Sequence, residues 1–169
     1  MEFVKICFDD INDVKHFNDI YLEAFPKSER YEISTLQKWE NKFLKPYFIK
    51  ENSEIIAICV FIENKESTYI LYLAVKKEFR NKGIGTKILD IIKEHYSTNP
   101  IIFSIEDPSS SLIASKRYNF YLSKGFFDTN FYYKWYSTKL LVLSNQELDV
   151  NKFKETYGKL FNATNYSFQ

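Results

Sequence analysis

The sequence predicts an α+β fold, one domain built on a mixed sheet of six or seven strands with four or five helices. Three observations carry that expectation. Short apolar runs of strand length alternate with segments whose apolar residues recur every three or four positions. Two continuous apolar runs, 69–75 and 101–106, are separated by a helical stretch, which suits a right-handed strand-helix-strand unit with parallel neighbours. The other strand-like runs are joined by short polar turns of the kind that close antiparallel hairpins.

Taken in order, "FVKICF" alternates as a first strand, and "DDINDVKHFNDIYLEAF" offers Asp9 or Asp10 as a cap ahead of Val14, Phe17, Ile20, Tyr21, Ala24 and Phe25 at helical spacing. Pro26 ends that helix. "PKSERYE" reads as a loop and "ISTLQKWENKFL" as a short second helix. "YFIKENSEIIAICVFIENKESTYILYLAV" reads as three strands divided by "KENSE" and "ENKES", the last one apolar enough to be central. A helix from about Gly83 to Tyr96 follows, stopped by Asn99-Pro100, then the strand "IIFSIED". "PSSSLIASKRYNFYLSKG" carries Pro and Ser at its start and Gly125 at its end, the punctuation of a helix, with Asp107 expected to cap it. "FFDTNFYYKWYSTKLLVLS" gives two more strands. "QELDVNKFKETYGKLFN" gives a terminal helix with Leu148, Phe153, Tyr157, Leu160 and Phe161 on one side.

Composition excludes several classes. A net charge of +1, from 23 Lys+Arg against 22 Asp+Glu, provides no global field toward nucleic acid or an anionic membrane, so any anion site must be local. No apolar run approaches the roughly 18 residues of a membrane span, and "EFVKICF" after Met1 is no secretory leader, so a cytoplasmic protein without membrane or nucleic-acid partners is expected. Cys7 and Cys59, far apart in apolar surroundings, are expected to be buried free thiols, and no metal site is foreseen.

Two of the four glycines stand in "RNKGIGTK", between an apolar strand and an apolar helix. The first N–H groups of a helix lack intrahelical partners, and the aligned peptide dipoles place partial positive charge there. Gly83 and Gly85 permit positive φ and a close approach of phosphate, while Arg80, Lys82 and Lys87 add charge. A dinucleotide G-x-G-x-x-G fails at Ile88, and a P-loop fails because Thr86-Lys87 follows Gly85 with no Gly five residues upstream.

The pattern that fits is R-x-x-G-x-G. In its setting, "LYLAVKKEFRNKGIGTKILDIIKEH", it resembles the acyl-CoA-binding motif of the GNAT superfamily of N-acetyltransferases. "RYNFYLSKGF" is similar to that family's later signature, with Tyr121 four residues before Gly125-Phe126, and "YLEAFPKSER" resembles its Phe-Pro and Glu-Arg segment. The likeness covers about residues 1–143. Two positions depart from it: Ala114 stands where many members have Asn, and Arg117 where Ala is common.

The resemblance implies a GNAT-like fold with helices on both faces of the sheet and splayed central strands. It implies acetyl-CoA as co-substrate, its pyrophosphate on the backbone of Asn81, Lys82, Gly83, Ile84, Gly85 and Thr86 with Arg80 at the leading basic position. Its pantetheine would pair with the strand end Leu73, Ala74 and Val75. Tyr121 would be the general acid for the departing thiolate, since a phenol is protonated at neutral pH. Glu106 would accept the proton of the attacking amine, with Glu29 as rival. Phe25, Glu29 and Tyr133 would line the acceptor pocket, though the aromatics of "FYYKWY" serve equally as sheet packing. The acceptor is a primary amine of a small molecule or peptide, attacking directly; a non-catalytic acyl-CoA-binding or ligand-sensing module and an unrelated phosphate-binding domain are the alternatives. Residues 1–144 would form the acetyltransferase domain and 145–169 a helical extension of it, packed on its own domain or on a second copy in a homodimer.

Overall fold

Local sequence sets the ends of most elements in the computed structural model, which describes residues 1–40, 42–161 and 166–168. Strand β1 is Glu2–Lys5. Asp10, not Asp9, caps helix α1 (Ile11–Ala24), its carboxylate accepting from the backbone N–H of Asn12 and Asp13. Asp9 instead accepts from the Gln37 amide. Pro26 follows the helix, a single 3-10 turn spans Lys27–Glu29, and α2 is Ile33–Glu40. The second helix is shorter than expected, because Leu44 already belongs to β2 (Leu44–Glu51) and is fully buried there. Strand β2 turns into β3 (Glu54–Glu63) through Asn52 and Ser53, both at positive φ (50° and 65°), the geometry whose twist matches a two-residue hairpin. Strand β4 is Thr68–Val75 and α3 is Ile84–His95, with Ile84, Ile88, Leu89 and Ile92 buried.

Two compact units divide the chain, Met1–His95 and Tyr96–Gln169. In the first, β1, β2, β3 and β4 pair antiparallel in that order, with α1 packed on β3 and β4 and α2 on β2. Ring contacts tie Phe8 to Phe17 and Tyr21 to Tyr72 inside this layer. The buried Glu40 carboxylate accepts the backbone N–H of Phe8 at 2.9 Å, holding the segment between β1 and α1 to the end of α2.

The second unit holds β5 (Ile101–Glu106), α4 (Leu112–Ser123), β6 (Phe127–Trp135), β7 (Thr138–Ser144), α5 (Val150–Phe161) and β8 (Tyr166–Phe168). Strand β7 lies between β5 and β6, and β8 adds to the far side of β6, all antiparallel. The three-residue β8 is an eighth strand beside the six or seven that the sequence leads one to expect. Ser111, not Asp107, is the N-cap of α4, accepting from the Ala114 N–H at 3.0 Å. Asp107 lies too far upstream and turns its carboxylate to Ser109 and Lys139. The register of β6 slips between Asp128 and Tyr132, a bulge containing Asn130 at φ 54°. Phe153 and Phe161 of α5 pack on Phe131, Tyr133 and Trp135 of β6.

The cysteines divide. Cys59 is fully buried in β3, as expected, but Cys7 is exposed: its neighbours Ile6 and Phe8 are the residues that turn into the core. Among the described residues no helix is long and apolar enough to cross a membrane.

Candidate active site

The segment between β4 and α3 is built to leave donors open. Lys76 makes the last strand bond, its N–H on the Ile56 carbonyl, and Phe79 and Arg80 close a 3-10 turn on Lys76 and Lys77. The next backbone N–H with a protein acceptor is that of Lys87, on Gly83 at 3.2 Å. Among the described residues, the N–H groups from Asn81 to Thr86 have no protein acceptor. Leaving buried donors unmet costs about 1–3 kcal/mol each, so such a run belongs where water or an anion can reach it. Asn81, Lys82 and Gly83 are exposed accordingly.

Gly83 has φ +73°, and a Cβ there would meet nothing within 4 Å. Its glycine is required by backbone conformation, and the space beside it is free for a ligand. Gly85 is different from the expectation: it lies in the first turn of α3 and is not at positive φ. Asn81, at φ 62°, takes the second left-handed position instead. The Arg80 guanidinium is also not directed outward alone. Its Nε donates to the Val75 carbonyl at 2.9 Å, and its two terminal nitrogens grip both carboxylate oxygens of Glu23 on α1. Arg80 thus bolts the turn to the strand end and to α1. Lys82 lies over the Phe79 ring, 5.4 Å from its centroid, and Lys87 is exposed.

The strand end expected to carry pantetheine is paired to β3 on one side, Leu73 opposite Cys59, Ala74 opposite Ile58 and Val75 opposite Ala57. Just before it the register jumps from Ile70–Phe61 to Tyr72–Val60, leaving Leu71 as a bulge. Beyond the bulge, Tyr72 and Ala74 are buried while Leu73 and Val75 are half-buried.

Tyr72 is a residue that the sequence reading passed over. Its ring packs on Tyr21 and Phe25 of α1, at 4.9 and 4.8 Å between centroids. Its hydroxyl accepts the Tyr31 N–H at 3.1 Å and donates to the Glu29 carbonyl at 2.9 Å. Tyr21 adds a third bond, its hydroxyl donating to the Tyr31 carbonyl at 3.1 Å. Burial pushes the Tyr21 phenol up to about 12 and raises Tyr72 well above its ordinary value. Both remain neutral donors at physiological pH. Phe25 and Glu29, the two acceptor-side candidates of this unit, therefore sit on a segment anchored by β4; both are half-buried.

In the second unit, Tyr121 is half-buried on α4, its ring 4.2 Å from that of Phe103 on β5. Its carbonyl accepts from Lys124 and Phe126, which closes the helix ahead of Gly125 at φ +81° and explains the spacing from Tyr to Gly-Phe. Glu106 ends β5 with its carboxylate 2.6 Å from Arg117 of α4. An amine approaching Glu106 must share it with a guanidinium. For Tyr133 the packing alternative holds: it is 1% exposed, stacked on Phe161, with its hydroxyl on Ser104 at 3.1 Å. The α5 helix covers the face of β6 on which an acceptor pocket was expected. Among the described residues no group of three or more His, Cys, Asp or Glu is arranged to hold a metal ion.

The sequence profile of the Acetyltransferase (GNAT) family matches residues 14–109, more than half of the chain. A 49-residue stretch is 49% identical to the N-alpha-acetyltransferase 60 of Danio rerio, covering 29% of this chain and 20% of that protein, so the chain matches about a fifth of that relative's length. Among solved structures, a protein described as an acetyltransferase of the GNAT family from Bacteroides thetaiotaomicron superposes with a TM-score of 0.81 at 22% identity, over 96% of this chain and 97% of that one. A GNAT family acetyltransferase from Elizabethkingia anophelis with acetyl-CoA bound gives 0.57 at 22% identity, over 76% and 89% of the two chains. An aminoglycoside 6'-N-acetyltransferase complexed with coenzyme A gives 0.62 at 12% identity, over 88% and 100%. With an α+β fold like theirs and the family's own pattern across its N-terminal and central parts, this chain belongs to the GNAT acetyltransferase family.

Proposed function

We propose that the chain is an acyl-CoA-dependent N-acetyltransferase that moves the acetyl group of acetyl-CoA to a primary amine of a small molecule or peptide, by direct attack in a ternary complex in the cytoplasm. The observation that carries this reading is the run of unpartnered amides from Asn81 to Thr86 at the start of α3, with open space at Gly83. Pyrophosphate suits that run, because each phosphate oxygen takes an N–H that the protein leaves without an acceptor. The backbone of Leu73, Ala74 and Val75 holds the pantetheine amides. Arg80 acts by fixing the turn, and Lys82 and Lys87 add positive charge.

The chain's residues then manage two protons. The amine nitrogen attacks the thioester carbonyl carbon, and its proton passes to Glu29 or Glu106, directly or through water. The carbon–sulfur bond breaks with its electrons on sulfur, and Tyr121 gives that sulfur its phenolic proton. Amide and free thiol are the products. Both carboxylates stay candidates for that base, and at Glu106 the amine would have to share the oxygen that Arg117 holds.

Thermal melting with acetyl-CoA, CoA and ATP tests the cofactor. Saturation at about 100 times the dissociation constant adds roughly 2.7 kcal/mol, expected for the first two ligands and not for ATP. No shift with acetyl-CoA sinks the reading. Tyr121→Phe is expected to lower kcat by about 10²–10⁴ with acetyl-CoA affinity retained. Binding without CoA release from any primary amine in a broad panel would make the chain a binding module.

A further inference from the structure

The loop between α1 and α2 is held by an unusual economy of means. One phenol oxygen, that of Tyr72, both accepts from the Tyr31 N–H and donates to the Glu29 carbonyl, using two of its hydrogen-bonding capacities on two peptide groups of a single turn. The bulge at Leu71 sets the phase of β4 so that Tyr72 meets α1 and this loop while Leu73, the next residue, begins the strand end assigned to the thioester arm. The strand that carries one substrate thereby also carries the fastening of the loop that bears Phe25 and Glu29. Tyr21 supplies a second fastening at the Tyr31 carbonyl, and its hydroxyl is also hydrogen-bonded to that of Tyr72.

We infer that Tyr72 is a positioning residue for the amine acceptor: through its hydroxyl it fixes the Glu29–Tyr31 backbone, and so the station of the Glu29 side chain, relative to the Leu73–Val75 strand end. This rests on the acetyl-transfer reading above and adds to it which residue sets the acceptor side. A phenol is well suited to the task. It is rigid, neutral and buried, so it aligns two peptide groups without placing charge near an incoming ammonium. Loss of the hydroxyl takes one partner from the Tyr31 N–H and one from the Glu29 carbonyl, and the loop gains alternative positions.

Tyr72→Phe keeps the ring against Tyr21 and Phe25 and removes only the fastening. The loop contains two trypsin sites, the exposed Lys27 and the half-buried Arg30, which report its opening without any substrate. Well below the melting temperature, cleavage after these residues is expected to quicken by about tenfold, the effect of one net hydrogen bond. With whichever primary amine releases most CoA from the wild type in a screen, KM for the amine is expected to rise by about tenfold, while the acetyl-CoA dissociation constant from calorimetry stays within about twofold. Tyr21→Phe, which keeps the Tyr72 hydroxyl on the loop but removes its Tyr21 neighbour, is expected to shift both readouts the same way by less. Unchanged cleavage, or an unchanged amine KM, overturns the inference, as does an equal weakening toward acetyl-CoA and amine. If Tyr72→Phe does not fold, the inference fails when Tyr21→Phe leaves the amine KM unchanged although the loop is cut faster. Failure of the wild-type chain to bind acetyl-CoA is a separate result, seen before any variant is made; it removes the acetyl-transfer reading and overturns the acceptor role with it, whatever the cleavage shows.

Discussion

Residues 81–86 and residues 29–31 are both irregular backbone in the first unit, yet their peptide groups are treated in opposite ways. In the turn before α3, consecutive N–H groups are left without a protein acceptor. In the loop before α2, the Glu29 and Tyr31 peptide groups are each met by a tyrosine hydroxyl. The first segment gets its shape from φ values, Asn81 and Gly83 at 62° and 73°, and from the Arg80 bracing; it can leave its donors open because nothing else depends on them. The second follows a 3-10 turn that the Glu29 and Arg30 N–H groups close on Pro26 and Lys27, and it is held further by side chains reaching from β4 and α1. In the proposed reading, the surface for an anion is made by withholding partners and the surface for the acceptor by supplying them.

The contrast can be broken most severely at Gly83. Gly83→Val forces a β-branched residue into the left-handed region, at about 1–2 kcal/mol, and fills the open space with methyl groups. Acetyl-CoA affinity is expected to fall by about a hundredfold or more, read by calorimetry, because strain and obstruction act together. Retained affinity would show that the open amides are not the anion site.

A smaller effect sharpens the other side. The Tyr21 phenol is raised from 10.0 to about 12, chiefly by burial. A folded-state value above the unfolded one means that its contribution to stability is whole below pH 10 and is lost as pH rises through about 12. Tyr72 shifts in the same direction. The wild-type chain is therefore expected to lose stability steeply above pH 10, with phenolate absorbance rising as the loop detaches, and Tyr21→Phe to flatten that alkaline limb. An ordinary titration near pH 10 for both phenols would contradict the closed loop.

The smallest effect is expected in the second unit, at Asp107. Its carboxyl is lowered from 3.8 to about 2, first by the hydrogen bond from Lys139 and then by those from Ser109. A depressed value contributes stability above the unfolded pKa that disappears as pH falls through about 2. Asp107→Asn should cost less than about 1 kcal/mol at pH 7, as surface pairs do, and the difference in urea midpoint should close between pH 4 and pH 2.

What the sequence made legible follows the same division. The glycine turn before α3 is local: strand, glycine, helix start and their order are adjacent letters, and the element pattern around them emerges from periodicity. Tyr72 was invisible because its partners, Glu29 and Tyr31, are 43 and 41 residues away, and an aromatic in an apolar strand looks like packing until the loop is seen against it. The pairing of Arg117 with Glu106 likewise needs α4 laid beside β5. Tyr133 went to the core because α5 covers β6, a matter of tertiary packing that no spacing states. Local misreadings were of a finer kind: Gly85 used for its place in a helix rather than its φ, Ser111 capping in place of Asp107, and Cys7 exposed between the buried Ile6 and Phe8.

The two thiols give the molecule a built-in clock. Cys7 is open to solvent, whereas Cys59 lies at the middle of β3, paired toward Tyr47 on one neighbour and Leu73 on the other, and burial pushes its thiol well up. An alkylating reagent meets the first cysteine in the native state and the second only when β3 parts from its neighbours. The interval between the two labels measures how often the first sheet opens, and a ligand seated on the end of β4 would lengthen it by the factor 1 + L/Kd, where L is the free ligand concentration.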